Sequence, residues 1–294
     1  MSVFEPFDSF SDIDDILFKL EDEDPGIRQV GVMELAETAS DDAVPHIIGA
    51  LSDPSDDVRL QAARVLQEFD GETVAAGLSD ALQDSSDTVA AAAADSLAEL
   101  KSPEAALPLL PLTTHEKPFV RANALRALKG LRHPEALKPG LAALQDPEPE
   151  VRMQAVGVLG YLQMEEALHA LILAGRDPDI EVRRAAVGAL AFSNSSTVSE
   201  ALIKAISDEA WRVREMAAET IGKLKFTDGT DALMSVTEDE YWQVRLQSVR
   251  SLGKIGVARA IPAIVGALEH SISNLRKDAA AALGEIADAG ALPY

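Results

Sequence analysis

Residues 146–190 read DPEPEVRMQAVGVLGYLQMEEALHALILAGRDPDIEVRRAAVGAL. One pattern stands here twice: Asp146-Pro147 leads to Val151-Arg152, and Asp177-Pro178 leads to Val182-Arg183, 31 residues on. After each valine, apolar or small residues recur at +4, +5 and +8, as in Ala155, Val156 and Leu159 or Ala186, Val187 and Leu190. That spacing puts them on one face of a helix. A second apolar set precedes the next Asp-Pro, so each unit reads as two helices with a turn at the proline.

The same anchor returns at Ile27, Val58, Val89, Val120, Val213, Val244 and Leu275, always 31 residues apart. Five residues before it stand Asp22, Asp53, Asp84, His115, Asp208, Asp239 and His270. Four after it the residue is small, from Gly31 and Ala62 to Ser248 and Ala279; eight after it stands leucine, or Ile221. Val44, Ile47, Ile48 and Leu51 show the second apolar set. One helix pair cannot bury its apolar face alone, whereas stacked pairs can. The pattern predicts an all-α fold, a right-handed α-α superhelix of nine two-helix repeats. It runs as a single domain over 12–288, after an acidic aromatic segment at 1–11 and before a tail at 289–294.

The unit of Asp, Val-Arg and a small-residue/leucine helix resembles a HEAT repeat. The strict 31-residue period is similar to the short subclass named for phycobilisome lyases. The resemblance covers about residues 12–288. It implies an α-solenoid in which the Asp and Arg columns form a structural ladder of ion pairs between neighbouring repeats. Here the columns supply Asp53, Arg59, Asp146, Arg152, Asp177, Arg183, Asp208, Arg214, Asp239 and Arg245. A guanidinium fork can bridge carboxylates and turn carbonyls along a stack. The columns have defects: Ala90 replaces arginine, and His115 and His270 replace aspartate. Pro103, Pro108, Pro111 and Pro118 crowd one stretch, so a bend is expected near 85–118. Gly160, Gly222, Gly253 and Gly284 fall late in the anchor helices, where they allow close approach.

Charge and chemistry narrow the function. The chain has 294 residues, no cysteine and a net charge of −23. Residues 1–100 hold 24 acidic and 4 basic side chains, against 25 and 22 in the remainder. So acidic a chain is repelled by phosphate backbones and anionic lipid, which argues against nucleic acid and membrane surfaces. The opening MSVFEPFDSF has neither a basic nor an apolar signal region, and no apolar run approaches the ~20 residues of a membrane span. A cytoplasmic protein is expected. Lack of cysteine excludes disulfides, thiolate nucleophiles and cysteine-ligated metals. His46, His115, His133, His169 and His270 form no metal-binding pair of histidines. Metal-dependent hydroxylases built from similar repeats carry His-Glu just after Val-Arg, and none stands there; His115-Glu116 lies at a turn. Phosphate-binding and nucleophile-elbow motifs are missing too. No catalytic residue, metal or cofactor is expected.

What remains is surface. Met153, Tyr161, Met164, Phe192 and Phe226 occupy anchor-helix positions +2, +10 and +13, which the core does not need. With Arg184 and Arg250 they suggest an adaptable protein-binding surface on the concave side of repeats five to eight. Trp211 and Trp242 stand one repeat apart and are expected to stack in adjacent layers ~10 Å apart, in packing or in ligand contact. Phe4, Phe7, Phe10 and Phe18, with Asp12, Asp14 and Asp15, read as an end cap or as a docking motif for a basic partner. Two function classes stay open. One is a non-catalytic scaffold, adaptor or assembly chaperone that binds another protein, with a basic surface as its complement. The other, implied by the resemblance alone, is a bilin lyase or other chromophore-handling protein, with a tetrapyrrole at Trp211, Trp242 and Tyr161.

Overall fold

The computed structural model describes residues 13–286; Phe4, Phe7, Phe10, Asp12 and the two expected end segments lie outside the described residues. Nine long helices start 31 residues apart: α2 (Pro25–Glu37), α4 (Asp56–Val65), α6 (Asp87–Glu99), α7 (Pro118–Leu131), α9 (Pro149–Leu162), α11 (Ile180–Ala189), α13 (Trp211–Leu224), α15 (Trp242–Ile255) and α17 (Ser273–Ile286). Each follows a shorter one: α1 (Ile13–Leu20), α3 (Val44–Ala50), α5 (Glu72–Ala81), a 3-10 helix at Pro103–Thr114, α8 (Leu137–Ala143), α10 (Leu168–Ala174), α12 (Ser196–Ala205), α14 (Thr230–Ser235) and α16 (Ile261–Gly266). Among the described residues there is no strand, and no helix long and apolar enough to cross a membrane. The nine expected pairs are present, but each reads as short helix then anchor helix, because the series opens on α1.

The chain divides into two compact units, Met1–Ala143 and Leu144–Tyr294. In the first, α2 packs on α1 and α4, α4 on α6, and α6 on α7, while α5 and α7 both pack on the 103–114 helix. In the second, α9, α11, α13, α15 and α17 pack in succession, with α10, α12, α14 and α16 against them. The anchor columns are the core of both. Val58, Val89 and Val120, and Val151, Val182, Val213 and Val244, have no exposed surface, and neither do the alanines four residues later. Where that small column holds Ser248, its buried hydroxyl donates to the Leu233 carbonyl at 2.6 Å.

The proline-rich stretch changes helix type. Pro108 and Pro111 lie inside the twelve-residue 3-10 helix 103–114, whose Ala105, Ala106 and Leu109 are buried. Proline lacks the N–H an α-helix needs and clashes with the carbonyl four residues back. The tighter helix retains the layer, at a length seldom seen for 3-10 structure.

Within each unit the ladder closes over 25 residues, from the arginine of one repeat to the aspartate of the next. In Met1–Ala143, Arg28 grips both Asp53 oxygens at 2.7 and 2.8 Å, and Arg59 grips Asp84 at 2.8 and 3.0 Å. In Leu144–Tyr294 the rungs are Arg152–Asp177, Arg183–Asp208 and Arg214–Asp239, each bidentate at 2.7–3.0 Å. The second Nη of each arginine donates to the carbonyl six residues back, as from Arg183 to Asp177 at 2.9 Å. Each aspartate also accepts the N–H two residues on, as Asp208 does from Ala210 at 2.9 Å.

Histidine keeps only part of that role. His115 and His270 accept the same turn N–H through Nδ1, both at 3.1 Å. A neutral imidazole has one acceptor nitrogen, so none is left for an arginine. His115 stands 25 residues after Ala90, so one rung has lost both members. His270 stands 25 after Arg245, whose Nε is buried without a hydrogen-bond partner.

Three outcomes follow from this packing. A Cβ on Gly160 meets the Ala189 Cβ at 2.8 Å, on Gly222 the Ser251 Cα at 2.8 Å, and on Gly253 the Ala282 Cα at 2.7 Å, whereas one on Gly284 meets nothing within 4 Å. Gly222→Ala should therefore lower stability by about 1–3 kcal/mol, and Gly284→Ala should raise it by up to ~1 kcal/mol; equal effects in urea melts would refute close approach as the cause. His270→Asp gives Arg245 its carboxylate while keeping the turn acceptor. It should add about 1–3 kcal/mol, and an unchanged melting temperature would show that the rung does not re-form.

The third outcome concerns acid. The hydrogen bond from Arg59 holds the Asp84 carboxyl below the usual range. At Asp53, Asp177 and Asp239 burial pushes upward, but arginine and backbone hydrogen bonds outweigh it and the net shift is down. With folded values below the reference of 3.8, this stabilisation is complete above that pH and is lost as pH falls through the lowered values. The urea midpoint should fall steeply below about pH 4, and less steeply in Arg59→Gln.

Candidate functional site

The ladder positions the starts of the anchor helices, and in Leu144–Tyr294 those starts carry unusual residues. At the first helical position α2, α7 and α9 have Pro25, Pro118 and Pro149, which suit it by fixed φ. The later helices α11, α13 and α15 have Ile180, Trp211 and Trp242. Asp179 caps α11, its Oδ1 accepting from the N–H of Glu181 and Val182 at 2.9 and 3.1 Å. Ala210 precedes α13 and Tyr241 precedes α15, and neither side chain caps its helix. Side-chain cap bonds are absent at α4, α6, α7 and α9 as well, so what distinguishes these starts is the large apolar residue at the first helical position.

Together they build an aromatic ledge. The Trp211 and Tyr241 rings stack at 5.5 Å with 16° between planes. The Arg212 guanidinium lies 5.6 Å from the Trp211 centroid, and that of Arg214 lies 5.7 Å from Tyr241 while it holds Asp239. Ile180 is 43% exposed, Tyr241 39% and Trp242 41%. The expected stack of the two tryptophans is thus replaced by Trp211 on Tyr241. Side chains lean toward the start of their own helix, so a ring at the first helical position meets the capping position of the next layer. The sequence signal for this is Tyr241-Trp242 following Ala210-Trp211 by one period.

Carboxylates edge the ledge. Glu209 and Glu240 are 85% and 77% exposed, and Glu238 is exposed as well. Arg212 is engaged by Glu181 at 2.9 Å, and the same carboxylate binds Arg184 at 2.9 Å. These two arginines, Arg184 first, hold Glu181 below its ordinary range.

The row expected on the anchor-helix face is spread more widely. Met153 lies in the second turn of α9 and Tyr161, exposed, in its last turn. Met164 and Phe226 lie beyond their helices and precede the short 3-10 turns at Glu165–Ala167 and Thr227–Gly229; both are half-buried. Phe192, also half-buried, ends the 3-10 turn Leu190–Phe192. The reason is the helix end: Gln163 and Lys225, twelve residues after their anchors, adopt left-handed φ of 55° and 54°, so the chain has left the helix by +13. Arg184 and Arg250 are held in ion pairs within the chain, Arg250 with Asp278 at 2.8 Å. On the same face Glu215 is pushed upward by burial and by Glu219.

Similarity to known proteins matches this architecture. The model described as HEAT repeats matches residues 13–98, 75–139, 106–175, 169–240 and 230–294. Among curated proteins none matches. YibA of E. coli is 18% identical over 88% of this chain and 96% of its own, with a TM-score of 0.61. Kap95p, in a structure concerning RanGDP, is 13% identical with a TM-score of 0.62 and coverage of 93% and 44%. The karyopherin Kap121p, bound to the extreme C-terminus of the protein phosphatase Cdc14p, is 15% identical with a TM-score of 0.62 and coverage of 93% and 37%. The chain thus spans under half of either Kap chain, and all three likenesses are of fold. With the nine-fold register and the Asp–Arg ladder, the match over most of its length places the chain in the family of HEAT-repeat proteins.

Proposed function

We propose that the chain is a non-catalytic scaffold, adaptor or assembly chaperone that binds another protein through the anchor-helix side of Leu144–Tyr294. The observation that carries this is the exposure of large apolar side chains there: Tyr161 48%, Tyr241 39% and Trp242 41% in a chain with 4% aromatics. Exposed rings of this kind are enriched at the centres of protein interfaces. The karyopherin fold neighbour captured with a phosphatase C-terminus shows that a stack of this type can hold a protein segment. The net charge of −23 favours a partner with a basic surface. A reducing compartment such as the cytoplasm suits a chain without cysteine.

The test begins with capture of partners from the native host and titration of the recovered partner. Tyr161→Ala with Phe192→Ala should weaken it by about 2 kcal/mol, roughly thirtyfold. The melting temperature should change little through Tyr161, which is exposed, and only modestly through the half-buried Phe192. A sharp drop in melting would identify the rings as core. An unchanged affinity would remove this face from the interface.

A further inference from the structure

We infer that the ledge of Ile180, Trp211, Tyr241 and Trp242 docks an extended, basic segment of a partner protein, with lysine or arginine at about every third residue. The inference rests on the protein-binding reading above and names the occupant of one edge of that surface.

Three observations carry it. The first is residue choice: Tyr241 and Trp242 stand where α4 has Ser55 and Asp56 and α6 has Ser86 and Asp87, and Trp211 shares the column of those two aspartates. The second is exposure: Ile180, Tyr241 and Trp242 present apolar surface that no neighbour covers. The third is charge. Glu209 and Glu240 flank the rings in sequence and stay largely exposed while touching the ladder arginines Arg183 at 3.2 Å and Arg214 at 3.9 Å. These arginines already hold Asp208 and Asp239, so both carboxylates are in excess. Glu238 is exposed as well, and the exposed Arg212 is engaged by Glu181. Aromatic faces edged by carboxylates attract guanidinium and ammonium groups.

Spacing fits an extended occupant. Packed helices lie about 8–10 Å apart, and an extended chain rises about 3.1–3.4 Å per residue. Every third residue of such a segment therefore reaches the next helix start.

The test uses the full chain and two fluorescein-labelled peptides, one with arginine at every third residue among leucine and proline, the other with glutamate in place of arginine. The variant Tyr241→Asp with Trp242→Pro restores residues found at these positions in other repeats. A second variant, Tyr241→Ser with Trp242→Ser, guards against a fault peculiar to proline. By fluorescence anisotropy the wild type should bind the arginine peptide at least about tenfold more tightly than the glutamate peptide. Both variants should lose at least about tenfold, and added salt should weaken binding. Melting temperatures of the variants should match or exceed that of the wild type. Equal affinity for the two peptides, equal affinity of wild type and variants, or no binding up to about 1 mM overturns the inference. A host partner that survives both ledge variants but is lost from Tyr161→Ala with Phe192→Ala would refute the ledge and leave the protein-binding reading standing.

Discussion

One guanidinium holds two turns. Arg183 reaches forward to both oxygens of Asp208 and back to the carbonyl of Asp177. Asp208, while gripped, accepts the N–H of Ala210 and so shapes the turn into α13. Where the rung is present, the start of the anchor helix is thereby defined by groups from two repeats. An inserted residue in one layer would displace an arginine from the aspartate 25 positions on and from the carbonyl six back. The invariant 31-residue interval follows from that constraint as much as from the buried valines. A charged pair with 8% and 15% side-chain exposure repays its desolvation only with such geometry. Where the geometry cannot form, the chain shows it: Ala90 faces the position of His115, and Arg245 is left with an orphaned Nε beside His270.

Much of the fold was legible because a solenoid's contacts are nearest-neighbour contacts. A column such as Val58, Val89 and Val120 needs the same environment in every layer, so the period of the text is the period of the structure. The late glycines were legible for the same reason: Gly222 is small because Ser251 of the next layer lies against it. Other features depend on how one layer is set against the next, which no single repeat spells out. The ladder columns lie six apart in the sequence, but the ion pair closes over 25 residues. The ring partner of Trp211 is Tyr241 rather than Trp242 for a similar reason. The 3-10 helix at 103–114 was signalled by Pro108 and Pro111 only as a disturbance, since proline forbids an α-helical bond without naming what replaces it.

The candidate site was less legible than the fold. Met164 and Phe226 share the +13 column with polar residues such as Ser102, His133 and Ser195. That mixture marks a connection rather than a helix face, as the left-handed Gln163 and Lys225 confirm. Arg184 and Arg250 looked available in the sequence because their acids, Glu181 and Asp278, sit on a face that only helix geometry and layer stacking bring together.

The core supplies the last step. It is built mainly from alanine, valine, leucine and isoleucine, whose small or branched side chains let anchor helices approach closely, and among the described residues no aromatic side chain belongs to it. Rings are therefore surplus to this fold, and among the described residues each one from Leu144 onward stands at a helix end or in a connection. Trp211 and Trp242 take the first helical position, where most other anchor helices have proline or aspartate. Large apolar residues at helix starts thus gather along one edge, from Ile180 to Trp242. Departures of that kind are expected where binding, rather than folding, selects the residue.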